Sequence, residues 1–433
     1  MPRSRPRLPA LPACLALLIL LLHVVPASAA GRPPNIIVLY ADDLGYGDLG
    51  CYGHPTLRTP NLDRLAAEGM RFTEFYSAAE VCTPSRTALL TGRYPVRSGM
   101  AHDRFRVLRS HSAGGLPRAE VTIPELLKAR GYATGMVGKW HLGHLPEHLP
   151  PHHGFDTYWG LPYSNDMMPA PDAPPGREKF FLENHDHWRT PLIRGTTVIE
   201  PQPDQRQLTR RYTDESLAFI RQHRRRPFFL YLAHTFPHVP LFASAGFRGK
   251  SLAGRYGDVV EELGWSVGRI VALLRELRLE RQTLVVFSSD NGPWLLFDHH
   301  GGSAGPLREG KGSTWEGGMR VPGIFWWPGR IPAGVVQREM ASTLDLLPTA
   351  ARLAGAPLPE ARLDGTDLSP LLFATGPLAR DAFFYYRGTT LYAARQGPWK
   401  AHFITRSAYG ADAPVSHATP LLFHLGEDPG ERW

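Results

Sequence analysis

Apolar residues fall in short unbroken runs separated by amphipathic stretches. Residues 35–40 read Asn-Ile-Ile-Val-Leu-Tyr, residues 227–233 read Pro-Phe-Phe-Leu-Tyr-Leu-Ala, and residues 283–287 read Thr-Leu-Val-Val-Phe. Runs without polar alternation, rich in β-branched and aromatic residues, predict strands buried on both faces. Residues 134–137 make a shorter candidate. Between these runs the spacing changes to threes and fours. Val259, Val260, Leu263, Val267, Ile270, Val271, Leu274 and Leu277 mark one face of a helix over 258–277. A second helix is predicted over 209–222. Shorter helices are expected after Thr59-Pro60 with a stop at Gly69, over 124–130 before Gly131, and from Cys82-Thr-Pro84 to Gly92.

Strands alternating with helices predict an α/β fold with a large mixed, mostly parallel sheet flanked by helices. In four of the runs polar residues follow the strand's C-terminal end: Asp42 and Asp43, Lys139 and His141, His238, and Asp290 with Asn291. Open α/β sheets bind ligands along that edge, so these residues can converge although they are far apart in sequence. Residues 144–207, rich in Pro, His and Asp, are expected to form long loops over the site with few regular elements. From residue 381 the pattern changes to short strands over 382–386, 391–395, 399–405 and 420–425, a small C-terminal antiparallel sheet. The expected division is therefore a catalytic domain over 31–380 and a small domain over 381–433.

Composition refines this picture. With 433 residues and 43% hydrophobic content the chain can bury one large core plus a smaller one. Residues 1–30 read as a secretory signal peptide: Arg3, Arg5 and Arg7, an apolar run over 13–25, and Ala27-Ser28-Ala29 for cleavage. That run is too short to span a membrane, and Cys14 precedes it, so no lipid anchor is expected. The formal charge of +8 becomes +5 without those three arginines. Arg221-Gln-His-Arg-Arg-Arg226 is the densest basic run and reads as a solvated helix end, so nucleic acid is not an expected partner. Of the cysteines, Cys51 and Cys82 remain after cleavage, and a disulfide between them is one reading in an oxidising compartment. None of Asn35, Asn61, Asn165, Asn184 and Asn291 begins an Asn-x-Ser/Thr sequon, which favours a bacterial secreted or periplasmic protein; a eukaryotic one would be lysosomal.

Two adjacent acids after a strand are ordinarily a turn or a cap. Paired with Asp290-Asn291 at another strand end, Asp42 and Asp43 instead make a hard oxygen site suited to calcium or magnesium and poorly suited to zinc. Cys82 opens a helix, where the dipole favours negative charge, with Arg86 one turn on.

Cys82-Thr-Pro-Ser-Arg86 with Thr91-Gly-Arg93, the 33–50 segment containing Asp42-Asp43, Gly138-Lys-Trp-His-Leu-Gly143, Ser289-Asp-Asn-Gly-Pro293 and Gly310-Lys-Gly-Ser-Thr-Trp-Glu-Gly-Gly318 together resemble the formylglycine-dependent (type I) sulfatase family, in its order, from about Pro33 onward. The resemblance implies an alkaline-phosphatase-like sulfatase fold and hydrolysis of sulfate monoesters. It implies conversion of Cys82 to formylglycine by a formylglycine-generating enzyme, and one calcium ion held by Asp42, Asp43, residue 82, Asp290 and Asn291. One hydroxyl of the hydrated aldehyde would attack sulfur and the other would expel sulfate, so no water attacks sulfur. Arg86 would hold the metal and those hydroxyls, and His141 would deprotonate the second of them. Lys139, Lys311 and His238 would meet the charge of the sulfate, the last two nearest the leaving group, and Ser164 would touch substrate.

Expected partners are a sulfated small molecule or glycan and the maturation enzyme, without a stable membrane anchor; a homodimer is left open. Two rivals stand beside this reading. One is a metal-dependent phosphatase or phosphonate hydrolase, disfavoured by Asn291 where two-zinc members want His and by Cys where many use Thr or Ser. The other is a silent sulfatase-like binding protein, the outcome if Cys82 stays a thiol. Several later segments, Phe384-Tyr-Tyr-Arg-Gly388 among them, look more like the N-acetylgalactosamine-6-sulfatase branch, whereas the surroundings of Ser164 lean to the arylsulfatase A branch. A sugar sulfate is the expected substrate, with the 6-position of a terminal galactose or N-acetylgalactosamine as the candidate, and small aryl sulfates are expected to be accepted as less demanding substrates. Similar sulfatases continue past Asp428-Pro-Gly-Glu431 into a closing helix, so the chain is expected to be a fragment or a truncated variant.

Overall fold

Eleven strands form the main sheet of the computed structural model, which describes residues 1–2, 32–378 and 380–433. Apart from its first two residues, the expected signal peptide lies outside the described residues. The strands are β1 (Asn35–Ala41), β2 (Met70–Tyr76), β3 (Ala133–Gly138), β4 (Thr157–Gly160), β5 (Leu192–Arg194), β6 (Thr197–Glu200), β7 (Phe228–Ala233), β8 (Thr283–Ser289), β9 (Arg320–Trp326), β10 (Val335–Gln337) and β11 (Ala341–Ser342). Their order is β10-β2-β9-β8-β1-β7-β3-β4-β5-β6, with β11 beside β2. The central run β8-β1-β7-β3-β4 is parallel, and β9, β5 and β6 add antiparallel pairings.

The unbroken apolar runs are strands because both faces of the sheet are covered. Ile37 and Leu39 of β1 point into one hydrophobic cluster, with Leu230, Leu232, Val260 and Leu263; Ile36, Val38 and Tyr40 point into the other, with Phe229, Tyr231 and Leu347. The amphipathic segments supply the covering helices Leu208–His223 and Gly254–Glu276 on the first face. The short helix Ile123–Lys128 starts with a capping box, Thr122 with Glu125. Thr59 precedes the helix Pro60–Ala67 without capping it through its side chain; its hydroxyl accepts from the Gly50 N–H at 2.9 Å and donates to Asp63 at 3.0 Å.

The structure corrects the sequence reading in two places. The 144–207 segment is not loop throughout, because β4, β5 and β6 extend the main sheet from within it; at three or four residues each, they are too short for a period to show. β2 and β9 were not among the expected strands, and Pro322 and Gly323 lie inside β9. Gly323 is needed there, since a Cβ would meet the Phe75 ring at 2.5 Å, and Pro322 sits opposite a bulge of β2 between Phe72 and Phe75 that takes it out of the regular ladder.

A separate antiparallel sheet, β12 (Ala382–Arg387), β13 (Thr390–Gln396), β14 (Trp399–Thr405) and β15 (Val415–His424), lies near the C-terminus. Phe383, Tyr385 and Ala393 pack with Tyr76, Ala88 and Met319 of the large sheet's side. A buried ion network joins the two parts. Glu316 accepts from Tyr76 at 2.6 Å, Tyr385 at 2.9 Å and Lys400 at 3.0 Å, and Lys400 also meets Glu431 at 2.9 Å. Burial alone would raise the Glu316 carboxyl, but Lys400, Arg320 and Arg395 outweigh it and bring it down to about 2.

A carboxyl lowered on folding stabilises the protein above its unfolded range, and that contribution fades as pH falls towards about 2. Glu316→Gln is expected to cost about 1–3 kcal/mol in urea unfolding at neutral pH, because Lys400 keeps Glu431 but loses one of its two buried carboxylate partners. The loss should shrink as pH falls below 4. A variant as stable as wild type at neutral pH would show that the network does not hold the small sheet in place.

Candidate active site

Strand register brings the polar residues to one edge. Tyr40 lies level with Ala233, Ala41 with Ser289, and Gly138 with Ala233, so the chain leaves β1, β8 and β3 at the same height. Backbone bonds from Asp290 N to the Ala41 carbonyl (3.2 Å) and from Lys139 N to the Ala233 carbonyl (2.8 Å) carry the ladder one residue further. Gly138 permits this approach: its φ is +106° and a Cβ there would lie 1.8 Å from the Ala233 oxygen.

Helix Cys82–Thr91 enters this edge from the other side, with Val81 extended before it and left-handed Gly92 after it. Every residue of the helix is buried. Cys82 Sγ lies 3.4 Å from Asp42 Oδ1. Ligand atoms of Asp42, Asp43, Cys82 and Asp290 all fall within 4.8 Å of one another. Asn291 completes the cluster, its Nδ2 2.7 Å from Asp43 Oδ1, while its Oδ1 is buried without a partner. Swapping the amide's two ends would turn an oxygen towards the carboxylates. Three carboxylates, an orphaned amide oxygen and two left-handed non-glycine residues, Asp43 (φ +64°) and His141 (φ +63°), mark a strained, acid-rich site that fits a hard cation.

Cations surround these acids. Arg86 donates to Asp290 Oδ2 from Nε (3.0 Å) and Nη2 (2.8 Å), to the Lys139 carbonyl at 2.9 Å, and lies 3.5 Å from Asp42. A guanidinium has no lone pair to give a metal, so Arg86 orients the acids and is not itself a ligand. Lys139 Nζ binds Asp42 and donates to Ser164 at 3.2 Å; Lys311 Nζ binds Asp43 at 2.8 Å. Burial raises the Asp43 carboxyl to about 7 despite Lys311. Asp42 is also pushed up by burial, but Lys139 and Arg86 bring it below its ordinary value.

The protonation of the remaining groups follows from their partners. Burial, then Asp290, raises the Cys82 thiol well above its ordinary range. The helix dipole that favoured an anion at this position is therefore overridden, and the unmodified residue is a poor nucleophile. His141 and His238 are held neutral by burial first, then by Lys139 and Lys311 respectively. His141 Nε2 faces the Leu108 carbonyl at 2.8 Å and must carry the proton, which leaves Nδ1, buried and unpartnered, as a base. His238 turns Nδ1 to the Val239 carbonyl, leaving Nε2 3.7 Å from Asp43 and 3.3 Å from Ser164. Cys51 is not bonded to Cys82: both thiols are free, which overturns the disulfide reading.

A cleft of about 400 Å³ opens onto Cys82, His141, His238 and Lys311. Sequence reasoning missed several groups on it. Trp294 packs under Lys311 (4.1 Å) and beside His238 (5.1 Å), and Thr83 ties the backbone at His141 to that at Leu108. Tyr409 and Arg387 reach the cleft from the small sheet. No local pattern distinguishes these from core aromatics and surface arginines.

An α/β sheet with an acid cluster, fixed cations and a cleft opening onto them at its edge is an arrangement suited to the hydrolysis of charged esters. The chain belongs to the sulfatase family: the family model for sulfatases matches residues 34–356, and that for the C-terminal region of aryl-sulfatase matches 378–433. It is 47% identical to arylsulfatase A of Bos taurus over 96% of this chain and 86% of that protein. It is 44% identical to N-acetylgalactosamine-6-sulfatase of Canis lupus familiaris over 96% of this chain and 84% of that protein. Among solved structures, PsFucS1 sulfatase from Pseudoalteromonas sp. superposes with a TM-score of 0.83 at 33% identity, covering 93% of this chain and 86% of that one. The protein is a sulfuric ester hydrolase. Among the described residues no helix is long and apolar enough to cross a membrane.

Proposed function

We propose that the protein removes a sulfate from a sugar, with residue 82 as formylglycine and one calcium ion held by Asp42, Asp43, Asp290 and Asn291. The observation that carries this reading is the joining of three buried carboxylates to a helix-opening Cys82 within 4.8 Å. The thiol there is too weakly acidic to serve as it stands. A hydrated aldehyde would give residue 82 the oxygen nucleophile, and calcium would favour its ionisation and draw charge from the sulfate oxygens. The secretory signal read in residues 1–30 suits maturation during export.

The chain's own residues divide the remaining work. Arg86 holds Asp290 and Asp42 in place. His141 Nδ1 takes a proton from the group at residue 82. Lys139, fixed between Asp42 and Ser164, meets one sulfate oxygen, and Ser164 also steadies His238. Lys311, kept as an ammonium chiefly by Asp43 against the cost of burial, is directed to the leaving oxygen, with Trp294 fixing its side chain.

Aryl sulfates carry better leaving groups than sugars and need less help as the ester oxygen departs. Lys311→Ala is therefore expected to lower kcat on a hexose 6-sulfate by roughly 100- to 1000-fold and on an aryl sulfate by about tenfold. Turnover of both classes by the matured wild type, compared with the variant, checks this. Equal losses on both, or activity confined to aryl sulfates, would remove the sugar-sulfate assignment.

A further inference from the structure

The cleft is far more basic than one sulfate requires. Its charged wall carries five arginines (Arg104, Arg106, Arg109, Arg387 and Arg406) together with Lys311, against the single carboxylate of Asp166. Arg387 is the unusual member. It ends β12, is 8% exposed, and donates only to backbone carbonyls, those of Ser407 at 3.0 Å and Ala408 at 2.8 Å. Among the described residues no carboxylate lies within ion-pair distance of it. The acid that influences it most is Glu80, already held by Arg106 at 2.6 Å. A buried guanidinium without a counter-ion is costly unless an anion comes to it.

The surroundings tie this group to the reacting end of the cleft. The loop that Arg387 fixes carries Tyr409, whose ring lies 5.6 Å from Trp294, and Trp294 packs on Lys311 and His238. Arg106 sits 5.5 Å over the same tyrosine and bonds the Gly312 carbonyl next to Lys311. Arg406 spends one donor on the Asp412 carbonyl and has no ion pair among the described residues. We propose that Arg387, flanked by Arg106 and Arg406, forms a second oxyanion subsite, which takes a carboxylate or further sulfate on an acidic saccharide while its reacting sulfate lies at residue 82. This deepens the sugar-sulfate reading and rests on it.

The test compares a hexosamine 6-sulfate with the same sugar joined to a uronic acid and with the same sugar carrying a second sulfate. Matured wild type is expected to show a KM at least tenfold lower for one or both doubly charged substrates, and whichever gains identifies the anion. Arg387→Gln and Arg406→Gln should raise that KM about tenfold, with kcat and the singly charged substrate changing less than threefold. The advantage should also shrink with added salt. Because Arg387 supports the 407–409 backbone, Arg406→Gln keeps the test open if the first variant does not fold. Calorimetric binding of the two doubly charged sugars to the thiol form needs no turnover and should weaken about tenfold in both variants. Equal KM values across the substrates in wild type, or equal binding in wild type and both variants, would overturn the subsite while leaving sulfate hydrolysis standing. Failure to cleave any sugar sulfate would instead strike the reading beneath it, and the binding measurement would still judge the subsite.

Discussion

Asp290→Ala is expected to abolish calcium binding and sulfate-ester turnover together. Its two oxygens do different work: Oδ2 takes two donors from Arg86, and Oδ1 accepts the Asp43 N–H at 3.1 Å, which helps hold Asp43 in its left-handed conformation. Removing the carboxylate takes one ligand away, loosens a second, and leaves Arg86 with Asp42 at 3.5 Å as its remaining ion pair among the described residues. Loss of the cation's charge stabilisation, several kcal/mol, corresponds to roughly a thousandfold or more in kcat. Arg86 keeps Asp42 but loses its two hydrogen bonds to Asp290, which adds about 1–3 kcal/mol of lost stability. Asp290→Asn separates the two effects, since the amide keeps the shape and one acceptor for Arg86. It should fold more stably than the alanine variant yet still bind calcium poorly by titration calorimetry. Calcium bound as in wild type, with full activity in both variants, would dismiss the metal assignment.

Cys82 in its thiol form is expected to turn over sulfate esters at least about a thousandfold more slowly than matured protein, because burial and Asp290 keep the sulfur protonated at neutral pH. Peptide mass spectrometry should find an aldehyde at position 82 only when the chain is made together with a formylglycine-generating enzyme. The structure adds a condition on timing. Cys82, Thr83, Pro84, Ser85 and Arg86 are all buried inside the helix Cys82–Thr91, so an enzyme that reads this segment must meet it before it folds. Adding the maturation enzyme to folded thiol-form protein should leave both the mass at 82 and the activity unchanged. Efficient conversion of the folded chain would refute that order of events. A fully active thiol form would refute the formylglycine itself.

What the sequence by itself determined was local: which runs are buried strands, which stripes are helices, and which polar residues follow a strand's last apolar position. Asp42, Asp43, Lys139, Asp290 and Asn291 could be placed on one edge because covalent order decides what comes directly after β1, β3 and β8, and because parallel strands share an end. Cys82 could be placed at a helix start because Pro84 and Gly92 punctuate the chain.

Pairings made across long separations were settled only by the tertiary structure. Lys139 on Asp42, Lys311 on Asp43 and Arg86 on Asp290 depend on strand neighbours and on how one helix enters the edge, and no period in the chain encodes either. The protonation of Cys82, His141 and His238 was equally out of reach, since it follows from burial, which several elements create jointly. β4 to β6 escaped because they are too short to show a pattern, and in β9 only Phe75 and the β2 bulge explain how a strand holds Pro322 and Gly323. Arg387, Arg406 and Tyr409 reach the cleft only because the small sheet docks through Tyr385 and Lys400 on Glu316, a contact between residues 69 and 84 positions apart. Packing free energy chooses such contacts, whereas the residues' immediate neighbours carry no trace of them.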